Sequence, residues 1–375
     1  MNNCIFIVAG EVSGDMFGAN LVRKILAINS KITFYGLGGD KMRQSGVGLI
    51  EHTDNLSVMG TFEVIRKVSF FKKLLKKTLN EIDKYNPKAI ILIDYPGFNL
   101  RLAKKMKKKS IPIYYYIPPK VWAWRKRRIN NIKKYIDEVF YIFPFEDKIY
   151  KKKNLKSEYV GNPLVELISS IKENTDDSIS WNKQKRVALL PGSRSQEIKY
   201  ILPIFLSFVN NYDNDTSFVI AAANECICDE IRIYLDNFPK KIENVSLVTF
   251  KTLSVLKQAD AAIITSGTAT LEAALLNTPH LLIYKGSWLT SFVAKVFVNL
   301  KYYGLVNLLL DREVSVEIIQ KEISIERLRN ELDKLFEDKF TSKMKNDFLL
   351  IKHLLGSKKS SEIVAKKIMN IISSN

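Results

Sequence analysis

Cysteine and histidine are scarce in this 375-residue chain, three of each: Cys4, Cys226 and Cys228, and His52, His280 and His353. Three cysteines cannot staple a chain of this length, so a disulfide-built fold is excluded and a reducing compartment is expected. The histidines show no HExxH spacing, which argues against a His-based zinc site, and Cys226 and Cys228, with no second pair, read as structural. Long apolar runs are missing too. The longest candidate, residues 291–310, is broken by Lys295, Asn299 and Lys301. It falls short of the roughly 18 uninterrupted apolar residues a membrane-spanning helix needs. The start, Met1-Asn2-Asn3 and a short apolar run to Ala9, has no basic segment, which predicts no secretory leader. A GxxxxGK(S/T) phosphate loop, a GxGxxG fingerprint and a GxSxG elbow are all absent.

What is present is ordinary globular composition, 46% apolar and 26% charged, in a length that suits two domains. The charge is unusual. Lys+Arg 58 minus Asp+Glu 39 gives +19, unevenly placed. Residues 1–160 hold 31 basic and 14 acidic residues, hence +17; the rest hold 27 and 25, hence +2. A basic half joined to a near-neutral half implies one domain facing a polyanion: nucleic acid, an anionic membrane or a phosphorylated substrate. A lysine-favouring codon usage explains abundant lysine but not this asymmetry.

Short continuous apolar runs at 4–9, 32–35, 89–93 and 113–117 alternate with helical stretches, and a second set at 186–190, 217–222, 261–265 and 281–284 does the same. That alternation predicts two parallel α/β units. The polar segment 165–185 reads as their connection, and residues beyond about 340 as a basic helical tail. In open parallel sheets, ligands bind beyond the carboxyl ends of strands. The notable residues stand at such ends: 10–15, Asp94, 191–194 and 266–272.

Each has two readings. Gly267 and its small neighbours let a backbone approach a phosphate, while Ser266 or Thr268 can simply cap the following helix. Glu272 suits a ribose diol or the helix dipole. Arg194, with Gly192 and Ser193, suits a diphosphate fork or a surface turn. Asp94 suits a general base or an N-cap. The Asp213-Asn214-Asp215 triplet precedes a strand and reads as a solvated turn rather than a metal motif. Tyr114 to Tyr116, Trp122 and Trp124 beside basic residues are of the kind that stack on nucleic-acid bases, but no nucleic-acid module is legible.

Six segments in order, AGEVSGD (9–15), SVMG (57–60), IDYPGFN (93–99), PPKVWAWR (118–125), LLPGSR (189–194) with Glu197, and SGTATLE (266–272), resemble the lipid-A-disaccharide synthase family. Asn162 and Val306 stand where that family usually has His and Pro, and Pro118 where it commonly has Ser. The resemblance implies two Rossmann-like domains facing a cleft, the B-type glycosyltransferase fold, with C-terminal helices returning to the first domain. The implied boundaries are 1–164 for the acceptor and membrane side, 165–340 for the UDP-sugar and 341–375 for the tail.

It implies inverting transfer from UDP-2,3-diacylglucosamine to 2,3-diacylglucosamine 1-phosphate, with no metal and no cofactor. Asp94 would be the base, with Glu11 and Ser13 beside it. Gly14, Gly192, Ser193, Arg194, Ser266, Gly267, Thr268, Thr270, Glu272 and Asn307 would serve the nucleotide sugar. A cytoplasmic enzyme on the anionic inner face of the inner membrane is implied, with a homodimer and no nucleic-acid partner. Residues 62–79 fit the membrane contact: Phe62, Ile65, Val68, Phe71, Leu75 and Leu79 recur at helical spacing among Arg66, Lys67, Lys72, Lys73, Lys76 and Lys77. A UDP-N-acetylglucosamine 2-epimerase and a peptidoglycan-precursor glucosaminyltransferase are the alternative readings.

Overall fold

The computed structural model describes residues 3–57, 64–122, 127–170, 179–213, 215–240, 242–265, 267–286 and 301–374. The chain forms two compact units, Met1–Leu167 with Leu355–Asn375, and Ile168–Leu354.

Unit 1 opens with β1 (Cys4–Ala9), α1 (Val12–Ile28), β2 (Thr33–Gly38), α2 (Asp40–Gln44), β3 (Val47–His52) and α3 (Thr53–Ser57). It continues with α4 (Val64–Tyr85), β4 (Ala89–Ile93), α5 (Pro96–Met106), β5 (Ile113–Tyr116) and α6 (Arg128–Tyr135). Then come β6 (Glu138–Tyr141), α7 (Asp147–Lys151), β7 (Ser157–Tyr159) and α8 (Pro163–Ser169), which leads out of the unit. The seven strands are parallel, in the order β3-β2-β1-β4-β5-β6-β7. Every residue of β1, β4, β5 and β6 is buried. Helices cover both faces of such a sheet, so its central strands are apolar throughout rather than alternating.

Unit 2 repeats the scheme with β8 (Lys185–Leu190), α9 (Ser195–Asn210), β9 (Thr216–Ala222), α10 (Glu225–Asp236), β10 (Val245–Thr249) and α11 (Thr252–Gln258). It goes on with β11 (Ala261–Thr265), α12 (Ala269–Leu275), β12 (His280–Tyr284), α13 (Leu305–Leu310) and β13 (Glu317–Ile319). Helices α14 (Ile325–Lys334) and α15 (Asp338–Leu355) follow. Its parallel sheet has the order β10-β9-β8-β11-β12-β13.

The tail is divided. Helix α15 stays with unit 2: Phe348 stacks on His280 with ring centroids 5.4 Å apart, and Arg312 pairs with Asp347. The last helix, α16 (Ser360–Ser374), packs along α1 in unit 1. Its first turn is fixed by Glu166, which accepts from Ser361 N (2.7 Å) and Ser361 Oγ (2.6 Å), and by Tyr116, whose hydroxyl lies 2.8 Å from Ser360 Oγ. The return to unit 1 therefore begins at Leu355, not at 341, because the apolar face of α15 is spent on unit 2.

Helix α4 corrects part of the membrane expectation. Phe71, Leu75 and Leu79 pack against the unit 1 core, beside the buried Leu74 and Ile82. Phe62 and the side chains of Ile65, Arg66, Lys67 and Val68 lie outside what is described. Lys72, Lys73, Lys76 and Lys77 are exposed. Lys77 also bonds to Ile50 O (2.7 Å) and Glu51 Oε2 (3.1 Å).

Candidate functional site

In unit 1, β1 and β4 pair with Ala9 opposite Ile93, and the sheet extends from them in opposite directions. That makes this pair of strand ends the topological switch point, the preferred ligand position of an open parallel sheet. The chain leaves β1 through Gly10 and Glu11, the N-cap residue of α1, and leaves β4 through Asp94 and Tyr95. The two exits interlock. A Cβ on Gly10 would lie 2.3 Å from the Tyr95 ring, so only glycine lets that ring settle there. Tyr95 also stacks on Phe98 at 5.8 Å, and burial and the nearby Glu11 push its phenol well above the usual range.

The AGEVSGD segment divides its labour. Gly14 is buried, and a Cβ there would meet Ala9 Cβ at 3.3 Å and Ile93 Cγ2 at 3.8 Å. Its smallness lets α1 close on the sheet. Asp15, 5% exposed, accepts from Gly39 N, Lys41 N and Met42 N at 2.7, 3.1 and 3.0 Å, satisfying the first turn of α2. Glu11 and Ser13 remain partly exposed at the strand end.

Asp94 and Tyr95 are both left-handed, with φ 43° and 46°, and Ile117, at the end of the neighbouring β5, has φ 58°. Such conformations cost about 1–3 kcal/mol each and collect at functional sites. The Asp94 N–H donates to Tyr116 O (3.3 Å), while its carbonyl accepts from Asn99 Nδ2 (2.7 Å) and Tyr115 OH (2.7 Å). The N-cap of α5 falls on Tyr95 rather than Asp94.

Lys120 is exposed and lies in the fields of Asp94, Glu146 and Glu11. Trp122 Nε1 donates to Glu146 Oε1 (3.2 Å), and Phe143 N to Glu146 Oε2 (3.1 Å). Glu146 is 1% exposed, and burial raises its carboxyl to about 7. Sequence reasoning gave none of Tyr95, Asn99, Lys120 or Glu146 a role, and weighed Tyr115 only as a base-stacking aromatic. Ala123, Trp124 and Arg125, and residues 58–60 of the SVMG segment, lie outside the described residues.

Unit 2 has the same layout. Leu190 of β8 pairs with Ile264 of β11, and the remaining strands lie to either side. After β8, Gly192 is left-handed at φ 117°, and a Cβ there would lie 2.3 Å from Glu197 Oε2. That same oxygen accepts from Ser193 N at 2.8 Å, and Arg194 Nη1 lies 3.4 Å from Glu197 Oε1. Glu197 thus closes the turn, takes up the Ser193 N–H, and steadies a half-exposed guanidinium. Tyr284, at the end of β12, has its phenol raised by burial and by Glu197, with Arg194 acting the other way, so it belongs to this cluster.

After β11, Ser266 lies outside the described residues, and Gly267 is exposed with φ 137°. Thr268 is the N-cap residue of α12, and Glu272, 8% exposed, stands one turn in. Thr270 is 1% exposed and donates its hydroxyl to Gly267 O (3.1 Å), so it braces the turn from inside.

Asn307 is 1% exposed. Its Nδ2 donates to Ser315 O (2.8 Å) and Glu317 Oε1 (2.9 Å), and its Oδ1 accepts from Val314 N (2.7 Å) and Ser315 N (2.9 Å). Two donors and two lone pairs are all an amide has, so none is left for a ligand. The Asp213 segment forms a local turn, with Asp215 N donating to Asp213 Oδ1 (3.1 Å). Among the described residues, no helix is long and apolar enough to cross a membrane.

The profile of the family described as lipid-A-disaccharide synthetase matches residues 5–371. A lipid-A-disaccharide synthase of Coxiella burnetii is 33% identical over 378 residues, spanning 99% of each chain. Of solved structures, the glycotransferase of kitacinnamycin superposes with a TM-score of 0.66 at 13% identity, covering 99% of both chains. The UDP-GlcNAc 2-epimerase of Neisseria meningitidis, bound to UDP-GlcNAc, gives 0.61 at 13% identity, covering 98% of this chain and 99% of its own. At that identity the two structures show the fold alone, a pair of Rossmann-like units as in B-type glycosyltransferases.

Proposed function

This chain belongs to the lipid-A-disaccharide synthetase family, and on that premise we propose which residues carry its reaction. It is a glycosyltransferase of lipid A synthesis. UDP-2,3-diacylglucosamine passes its sugar to the 6-hydroxyl of 2,3-diacylglucosamine 1-phosphate, giving a β-1,6-linked disaccharide 1-phosphate and UDP. An α-linked donor and a β-linked product require inversion, hence a single in-line displacement. The acceptor oxygen bonds to C1, the bond from C1 to the diphosphate oxygen breaks, UDP leaves with the electron pair, and a base takes the hydroxyl proton.

Asp94 is that base, with Glu11 and Ser13 on the acceptor side. Arg194 and the backbone N–H groups near Gly267 and Thr268 stabilise the charge growing on UDP, the role of preorganised donors at a leaving group. Glu272 holds the ribose. The observation that carries this reading is the register: in each sheet, the motif residues follow the last paired residues of the two switch-point strands. The 2-epimerase reading is not favoured, because the profile match runs along nearly the whole chain.

Both substrates carry acyl chains, so the protein works at a membrane surface. The exposed Lys72, Lys73 and Lys76 of α4, within the basic half, suit an anionic one.

UDP calorimetry with and without a chelator tests the nucleotide half. Metal-free binding is expected, and Arg194→Ala should weaken it at least tenfold. Strict dependence on Mg²⁺ or Mn²⁺, or an unchanged Kd in Arg194→Ala, would contradict it.

A further inference from the structure

We propose that Tyr115 and Asn99 are positioning residues of the transfer reaction, together holding the left-handed turn that carries Asp94. A residue that turns left-handed directly after a strand takes its carbonyl out of the ladder. Asp94 keeps one ladder bond, from its N–H to Tyr116 O, and its carbonyl accepts from two side chains. A carbonyl that leaves the ladder is held by the donors it meets, and removing one of them loosens the turn.

Two buried side chains supply these donors. Tyr115, on β5, and Asn99, on α5, are both 0% exposed, and each donates to the Asp94 carbonyl at 2.7 Å. Asn99 Nδ2 also reaches Ile93 O at 3.2 Å, joining the last strand residue to the turn. Tyr115 ties the same turn to the neighbouring strand. A phenylalanine would fill the core equally well, so the hydroxyl is the part of Tyr115 that packing does not require. Burial and the nearby charge of Asp94 push its phenol well above the usual range, so it stays a donor across the working pH. With the hydroxyl gone, the turn loses one of these two side-chain donors and relaxes. A displacement of about 1 Å at a reacting group costs on the order of 10²-fold in rate.

This rests on Asp94 as the base, so the test is a double-mutant cycle. Tyr115→Phe should lower kcat about 10- to 100-fold, with the donor KM and the UDP Kd within about twofold. In the Asp94→Asn background, the same change should cost less than about threefold, because an aligned carboxylate no longer matters. Asn99→Ser should behave likewise and carries the cycle if Tyr115→Phe does not fold. A kcat within twofold of wild type, or equal losses in both backgrounds, would overturn the positioning role while leaving Asp94 in place. Wild-type turnover in Asp94→Asn alone would remove the base and this proposal with it.

Discussion

Gly192 joins a left-handed backbone, φ 117°, to a space that Glu197 already occupies at 2.3 Å from where a Cβ would lie. In Gly192→Ala, the carboxylate has to move, which frees Ser193 N and releases Arg194. The backbone strain adds about 1–3 kcal/mol. UDP affinity should fall at least tenfold with a lowered Tm, measured by calorimetry and thermal melting; an unchanged Kd would show that this turn does not shape the nucleotide site. Position after a strand made Asp94, Arg194 and Glu272 legible as candidates in the sequence. The same signal is blind to what a side chain already bonds: Thr270 donates its hydroxyl to Gly267 O. Asn307 spends all four hydrogen-bonding positions inside unit 2. Tyr115 was hidden for the opposite reason: a tyrosine in an apolar strand reads as core until its hydroxyl is seen on a neighbouring turn.

At the scale of elements, α4 separates two contributions that its sequence pattern merges. Its described apolar side chains are committed to the core, and its lysines to solvent. Replacing Lys72, Lys73 and Lys76 by Gln removes three charges, worth about 1 kcal/mol each at an anionic surface. Affinity for anionic vesicles should therefore drop by about two orders of magnitude in a sedimentation assay. Phe71→Ser should lower Tm and leave vesicle affinity nearly unchanged. Tight binding by the three-Gln variant would move the membrane contact elsewhere. The central strands were legible because burial on both faces makes them continuous apolar runs. The edge strands were not: β3, β7 and β10 are mostly half-buried, and β13 has three residues. Strand β6 escaped notice because it starts with Glu138, a carboxylate 3% exposed and paired with Lys156 at 2.9 Å. Strand order, which brings β1 to β4 and β8 to β11, was implied only through the family resemblance.

Across the whole molecule, the two units should respond to pH in opposite senses. In unit 1, Glu146 has its carboxyl raised to about 7. Between pH 5 and 7 the native state holds a proton that the unfolded chain has lost, so unit 1 weakens as pH rises, by up to about 3 kcal/mol. In unit 2, burial lowers His280 to about 4. Between pH 6.5 and 4 the unfolded chain takes up a proton that the native state refuses, so unit 2 weakens as pH falls, by up to about 3 kcal/mol. Hydrogen exchange, corrected for intrinsic rates and followed on peptides of each unit, should show both trends, and Glu146→Gln should flatten that of unit 1 alone. Parallel trends in both units would contradict these assignments. The division of labour itself is tested most directly by giving purified wild type and Asp94→Asn the two glucosamine-derived lipids and following UDP and disaccharide by mass spectrometry. Wild type should release both in equal amounts, and Asp94→Asn should do so about 10²–10⁴-fold more slowly with unchanged UDP affinity. Turnover by Asp94→Asn within a few-fold of wild type would contradict the assignment of Asp94 as the base.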